Sequence, residues 1–130
     1  HLLSKINSST DILKVIQAAK SRGMISESEA MHFEQKLSHL LEHAEIKRFF
    51  QAEHKVKNEP AILSEAGMML RPDRLVFFKN ELAVLDFKTG IPLPQHEEQL
   101  NNYKSVLKLL SSKPIKAYLI YTEDEFLLEV

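Results

Sequence analysis

The stretch from Arg71 to Thr89 reads RPDRLVFFKNELAVLDFKT, and it holds two short runs of Val, Leu and Phe separated by the polar pair Lys79-Asn80. Runs of this composition are typical of β-strands, and a polar pair between them is typical of a two-residue turn. We therefore predict an antiparallel hairpin. Counting outward from the turn places Asp73 directly opposite Asp86.

The second strand of this hairpin would carry two charged side chains on one face. Side chains alternate along a strand, so Asp86 and Lys88 project together. Like charges that face each other in a sheet repel, at a cost of about 1 kcal/mol, and a cation is needed to balance them. Lys88 alone could neutralise one of the two aspartates, as an ordinary ion pair at a strand end. A divalent metal held by Asp73 and Asp86, with Lys88 beside it, balances the charge better and can support catalysis.

The composition limits which metal could bind. The chain has no cysteine, which excludes a disulfide scaffold and any thiolate metal site. Carboxylate and imidazole groups remain as ligands, and oxygen ligands favour a hard ion. The sequence therefore predicts Mg²⁺, or Mn²⁺ in its place.

Three short motifs resemble those of one enzyme family, the PD-(D/E)xK nucleases. Pro72-Asp73 followed by Asp86-Phe87-Lys88 resembles the family signature, and Asp86-Phe-Lys-Thr-Gly90 is similar to the form found in nuclease domains of RecB and AddA type helicase-nucleases. That subfamily has a downstream Gln-x-x-x-Tyr, which Gln99-Leu-Asn-Asn-Tyr103 matches. The motifs occur in the family's order and are more specific together than singly.

The resemblance implies a fold and a metal site. The fold would be a restriction-endonuclease-like α/β core, a mixed β-sheet flanked by α-helices, with a helical N-terminal part. Asp73, Asp86 and the main-chain carbonyl of Phe87 would hold the metal against the scissile phosphate. Lys88 would orient or deprotonate a metal-bound water and offset charge in the transition state.

The first acidic motif of the family is less clear in this chain. Val56 to Pro60 resembles a subfamily strand whose acid would be Glu59, and Glu53 is a weaker candidate for the same role. His1 stands where the subfamily has a histidine that opens a helix and binds metal. From the residue pattern alone, Glu59 could equally be a solvent-facing carboxylate, and His1 a terminal residue without a role.

A helix is predicted after Gly90, beginning near Pro94, because proline suits the first turn of a helix. His96, Gln99 and Tyr103 would share one flank of it at spacings of three and four residues, at the rim of the helix–sheet interface. The resemblance implies that Gln99 and Tyr103 position DNA there.

The remaining pattern predicts helices first and strands later. Ser26 and Glu29 form a capping box at the start of an amphipathic helix. The period of the apolar residues then changes from helical to two. The strands expected outside the hairpin are Glu53 to Leu63, with Pro60 at an edge or bend, and Ile115 to Tyr121 and Phe126 to Val130.

Length and composition favour one domain over residues 1–130, with 44% hydrophobic residues. The chain starts at His1, without methionine, which suggests the C-terminal fragment of a longer helicase-nuclease. No apolar run approaches the roughly 20 residues that span a bilayer. We therefore expect a cytoplasmic protein with no membrane partner.

The functional hypothesis is a Mg²⁺-dependent deoxyribonuclease domain that processes DNA ends in recombination and repair. Its expected partners are single-stranded DNA ends, the parent helicase domains and a second subunit. A net charge of −1 argues against autonomous tight DNA binding but not against phosphodiester chemistry. The alternative is a catalytically inactive nuclease-like module that guides DNA or docks a partner subunit.

Overall fold

The computed structural model describes residues 2–130, so the candidate ligand His1 lies outside the described residues. The chain divides into two compact units, His1–Glu53 and His54–Val130. We describe each unit by itself. Glu53 belongs to the first unit. The other candidate site residues that the structure describes, including Asp73, Asp86 and Lys88, belong to the second unit.

The first unit is helical, as the pattern predicts. Helix α1 spans Ile12–Ser21 and α2 spans Glu27–Glu42, with short 3-10 helices at Leu2–Lys5, Ser9–Asp11 and Lys47–Phe50. The predicted capping box begins α2. The Glu29 N–H donates to Ser26 Oγ at 3.2 Å, and the Ser26 N–H donates to Glu29 Oε1 at 3.1 Å, so two N–H groups at the helix start are satisfied.

The second unit is a mixed sheet with one long helix. Its described strands are β1 Lys55–Asn58, β2 Ile62–Leu63, β3 Met69–Leu70, β4 Arg74–Phe77, β5 Leu82–Lys88, β6 Ile115–Tyr121 and β7 Phe126–Glu129. Five of them form a sheet in the order β1-β4-β5-β6-β7, and β2 and β3 form a separate two-stranded ribbon. Only β5 and β6 run parallel; the other neighbours are antiparallel. The α/β class is therefore confirmed.

The strand expected from Glu53 to Leu63 is divided in two. Glu59 has φ +49°, which an extended strand does not contain, and Pro60 has no N–H to donate to a ladder. The chain therefore leaves the main sheet after β1 and pairs β2 with β3 in the small ribbon. Strand β1 lies at the edge of the main sheet, as Pro60 suggested.

The central hairpin has the predicted register. Arg74 pairs with Leu85 and Phe77 pairs with Leu82, and the Phe78 N–H donates to the Glu81 carbonyl at 3.0 Å across the turn. Continuing this register by one residue places Asp73 opposite Asp86.

Helix α3, Pro94–Leu110, connects the parallel strands β5 and β6 and packs against one face of the sheet. Its buried side chains form a core with alternate residues of the strands. The members from α3 and the two hairpin strands are Leu100, Tyr103, Leu107, Leu75, Leu82 and Val84. Because side chains alternate along a strand, Asp73, Asp86 and Lys88 also face α3.

Within residues 2–130, none of the helices combines the length and apolar character that crossing a bilayer requires.

Candidate active site

Two aspartates face each other where β4 begins and β5 approaches its end. Each carboxylate accepts a hydrogen bond from the opposite strand: the Asp73 N–H donates to Asp86 Oδ1 at 2.9 Å, and the Phe87 N–H donates to Asp73 Oδ2 at 2.8 Å. Asp86 is buried, with 3% of its surface exposed, and Asp73 is half-buried. The sheet thus fixes two carboxyl groups close together, one of them buried and the other half-buried.

The electrostatics of the pair are unfavourable without a cation. Burial, and then the charge of Asp73, raise the pKa of Asp86 to about 6, against the lowering effects of the Asp73 N–H and Lys88. Burial also raises the pKa of Asp73, although the Phe87 N–H and Lys88 oppose the shift. Both shifts mean that the folded protein disfavours two ionised carboxylates at this place.

Lys88 is a cation in contact with the pair. Its Nζ lies 3.4 Å from Asp86 Oδ2 and donates to Gln99 Oε1 at 2.8 Å. The predicted sharing of one strand face by Asp86 and Lys88 is observed. One lysine cannot neutralise two carboxylates, which agrees with the raised pKa values of both.

Gln99 and Tyr103 continue this network along α3. Gln99 Nε2 donates to the Tyr103 hydroxyl at 2.9 Å, and that hydroxyl donates to the Arg71 carbonyl at 3.4 Å. Burial, followed by the charges of Asp86 and Asp73, raises the pKa of Tyr103 to about 12, so it stays protonated at neutral pH. The structure therefore joins Gln99 and Tyr103 to Lys88 and fixes the ammonium group.

Glu59 lies beside the pair but outside its hydrogen-bond network. Its N–H donates to the Asp73 carbonyl at 2.9 Å, and its charge is the weakest of the effects that raise the pKa of Asp73. Its side chain is exposed. Glu53 belongs to the first unit. Of these two acids, Glu59 is the one whose charge acts on Asp73.

The residues present fit a magnesium-type ion with few protein ligands. No group of three or more His, Cys, Asp or Glu side chains in the described part of the chain could hold a metal. Mg²⁺, however, commonly takes one or two carboxylates and keeps several waters. In residues 2–130, Asp73 Oδ1 accepts no hydrogen bond, whereas Oδ2 does. A carboxylate oxygen with that freedom, in a pair with raised pKa values, is a suitable ligand.

The sequence pattern did not reveal a second polar contact at the same end of the sheet. Tyr121 is the β6 partner of Lys88, and its hydroxyl lies 3.0 Å from His96 Nδ1. The next residue, Thr122, donates from N and Oγ1 to the Lys88 carbonyl at 2.9 and 3.3 Å. The sequence could have predicted this contact. Tyr121 and Thr122 end a strand that runs parallel to β5, and the carboxyl ends of parallel strands meet at one edge of a sheet.

No protein-family model matches this chain, and no curated protein matches it. A functional assignment therefore depends on the geometry of the site.

Proposed function

We propose that this chain is the Mg²⁺-dependent nuclease domain of a helicase-nuclease that hydrolyses DNA phosphodiester bonds. One observation carries the proposal: Asp73 and Asp86 face each other across the hairpin, both with raised pKa values, next to a lysine held by Gln99. A structural ion pair needs one acid and one base. A second acid beside the buried one is understandable if the pair exists to hold a cation.

The proposed roles combine these contacts with the resemblance of the motifs. Asp73 and Asp86 would hold Mg²⁺ or Mn²⁺, with the Phe87 carbonyl as a third ligand. A bound divalent ion supplies a water of lowered pKa and stabilises negative charge on the phosphate. Lys88, held by Gln99 at 2.8 Å, would orient that water and offset charge in the transition state.

The fold is compatible with this chemistry. A mixed sheet with a helix between its parallel strands, and with paired acids at the end of the central hairpin, supports a restriction-endonuclease-like core. The motifs Pro72-Asp73, Asp86 to Lys88 and Gln99 to Tyr103 support the RecB and AddA type in particular. The fold alone would not identify an activity, because similar folds host different functions.

The substrate proposed is DNA, as single-stranded ends delivered by helicase domains. A net charge of −1 gives this chain little electrostatic attraction for a phosphate backbone. Delivery by a larger partner removes that requirement. A second subunit could present the strand in the same way.

One observation favours a second candidate, a catalytically inactive module that guides DNA or docks a partner. Among the described residues, no third acid or histidine joins Asp73 and Asp86 in a metal-holding group. An incomplete ligand set of this kind would suit a nuclease-like fold that has kept its shape without its activity.

Cleavage assays with site variants test the proposal. The purified chain is incubated with labelled single- and double-stranded oligonucleotides and Mg²⁺ or Mn²⁺. We expect cleavage that Asp86→Asn and Lys88→Ala reduce by about 10²-fold or more. Asp124→Asn is the matched control, because it makes the same chemical change at an exposed turn. Full activity in Asp86→Asn would refute the assignment of the site.

Calorimetric titration with Mn²⁺ separates the two candidates. A nuclease should bind Mn²⁺, and Asp86→Asn should abolish that binding while Asp124→Asn leaves it unchanged. A chain that neither binds Mn²⁺ nor cleaves any oligonucleotide would be the inactive module instead.

A further inference from the structure

His96 is held in one orientation at the first turn of α3. Its Nδ1 lies 3.0 Å from the Tyr121 hydroxyl and accepts a long hydrogen bond, 3.4 Å, from the Leu93 N–H. A backbone N–H can only donate, so Nδ1 is the acceptor and the neutral ring carries its proton on Nε2. The two rings also contact each other, with centroids 5.9 Å apart.

The other ring nitrogen of His96 is available to a ligand. Within the described chain, Nε2 makes no hydrogen bond, and the side chain is only partly buried. A donor fixed by its ring partners has already lost much of its rotational freedom, so binding to it costs less entropy. The protein thus presents one oriented N–H group on this flank of α3.

This N–H group lies beside the proposed active site. Tyr121, which holds the imidazole, is the Cα partner of Lys88 on the adjacent parallel strand. Gln99, which holds Lys88 Nζ at 2.8 Å, follows His96 by three residues on the same helix. Residues three apart on a helix are surface neighbours. His96 is therefore connected to Lys88 from two sides.

We propose that His96 Nε2–H binds a non-bridging oxygen of the DNA phosphate next to the scissile one. The inference rests on the proposed nuclease function, which places the scissile phosphate at Asp73, Asp86 and Lys88. Neighbouring phosphates follow one another along the strand. His96 then contacts the DNA backbone one phosphate away from the scissile phosphate. It is a substrate-binding residue that sets the register of the DNA strand in the site.

The hydrogen-bond pattern of the ring favours an oxygen acceptor over a metal ion. Metal-binding histidines usually donate from their other nitrogen to a carbonyl or carboxylate, which leaves the metal-binding nitrogen without a proton. In His96 the other nitrogen accepts instead, so Nε2 carries hydrogen. A phosphate oxygen is the acceptor that a phosphodiester strand repeats at each step.

Two substitutions separate this role from a purely structural one. His96→Asn keeps an acceptor near the Nδ1 position, for Tyr121 and Leu93, but removes the distal N–H. His96→Gln places an amide N–H near the Nε2 position. His32→Asn, at an exposed site on α2, controls for loss of an imidazole elsewhere.

The kinetic readout is KM and kcat on a single-stranded oligonucleotide with Mg²⁺ or Mn²⁺. Hydrogen bonds to charged groups contribute about 1.5–3 kcal/mol, so His96→Asn should raise KM about 10-fold or more, with kcat within about threefold of the wild type. His96→Gln should recover most of the lost affinity, and His32→Asn should change nothing. An unchanged KM in His96→Asn would overturn the inference.

A second measurement changes the DNA and compares the effect in the wild type and in His96→Asn. A neutral methylphosphonate is placed at each linkage in turn, and the linkage next to the cleaved one should raise KM about 10-fold. In His96→Asn, the methylphosphonate at this linkage should not raise KM further, because the contact between residue 96 and the phosphate is already lost. Equal effects in wild type and variant would also overturn the inference.

The two levels of the proposal fail differently. Cleavage by the wild type with no effect of His96→Asn removes the His96 contact and leaves the nuclease function intact. If the wild type cleaves nothing, anisotropy with the same oligonucleotide decides: weaker binding by His96→Asn supports the contact in an inactive, DNA-guiding module. If the wild type cleaves nothing and His96→Asn also binds the oligonucleotide as tightly as the wild type, both the nuclease function and the His96 contact are rejected.

Discussion

The side chains of Asp73 and Asp86 each accept a hydrogen bond from the main chain of the opposite strand. The Asp73 N–H donates to Asp86 Oδ1 at 2.9 Å, and the Phe87 N–H donates to Asp73 Oδ2 at 2.8 Å. Two carboxylates that repel are therefore kept in place by main-chain N–H groups of the hairpin. As the proposed metal ligands, they would be oriented before an ion binds, which would reduce the cost of binding it.

The stability of the metal-free protein should fall as the pH rises from about 4 to about 6. The pKa of Asp86 is raised from 3.8 to about 6, so the folded state holds this proton more tightly than the unfolded state does. The resulting stabilisation is fully present below the ordinary pKa and is lost as pH rises through the raised one. That difference corresponds to on the order of 3 kcal/mol.

Urea unfolding in EDTA across this pH range measures the effect. Asp86→Asn should show a flatter pH dependence, and Asp124→Asn should follow the wild type. Saturating Mn²⁺ should reverse the trend, because the ion binds the deprotonated pair and stabilises the fold more as pH rises. Parallel curves for wild type and Asp86→Asn would contradict the prediction.

Lys88→Ala should separate metal binding from hydrolysis. Removing the ammonium group 3.4 Å from Asp86 Oδ2 removes a charge that repels a divalent ion, so Mn²⁺ affinity should stay equal or increase. The value of kcat should fall about 10²–10⁴-fold, since the group proposed to orient the water is lost. Calorimetry and single-turnover cleavage measure the two effects. Loss of Mn²⁺ binding would mean that Lys88 only supports the structure.

Tyr103→Phe should reduce activity through Gln99. The hydroxyl accepts from Gln99 Nε2 at 2.9 Å, so its removal frees Gln99 to rotate away from Lys88. We expect kcat to fall up to about 10-fold, with a loss of about 1 kcal/mol in stability because the ring remains in the core. Tyr118→Phe removes a hydroxyl from a buried tyrosine of β6 and is the control. A larger fall in kcat for Tyr118→Phe would contradict the prediction that Tyr103 acts on activity through Gln99.

Glu59→Gln should weaken Mn²⁺ binding by a factor of about three to ten. The charge of Glu59 raises the pKa of Asp73, so replacing Glu59 with a neutral residue makes the site less negative. The loss should shrink at high salt, because the carboxylate is exposed. Glu65→Gln, in the exposed turn between β2 and β3, is the matched control. A loss of more than 100-fold, insensitive to salt, would indicate direct coordination by Glu59.

The hairpin and its paired acids could be predicted because local signals agree there. The polar turn at Lys79-Asn80 fixes the register, and the alternation of side chains then fixes the faces of Asp73, Asp86 and Lys88. The division of the first strand was missed because it depends on the positive φ of Glu59, a residue that does not usually adopt that conformation.

Contacts between distant segments were harder to foresee. The contact of His96 with Tyr121 joins residues 25 positions apart, and it arises from how α3 lies on β6. Periodicity gave the flank of α3 on which His96 stands but not the strand residue that meets it. Similarly, the bond from Lys88 to Gln99 needs the parallel pairing of β5 and β6, which no short motif encodes.

The strand that carries Asp86 and Lys88 has hydrogen-bonded neighbours on both sides, β4 and β6. Its amides should consequently be among the slowest of the second unit to exchange with deuterated solvent, since they become accessible only when the sheet itself comes apart. Heating should then disrupt the proposed metal site and the sheet in a single step, so that no temperature leaves the sheet folded with its paired acids separated.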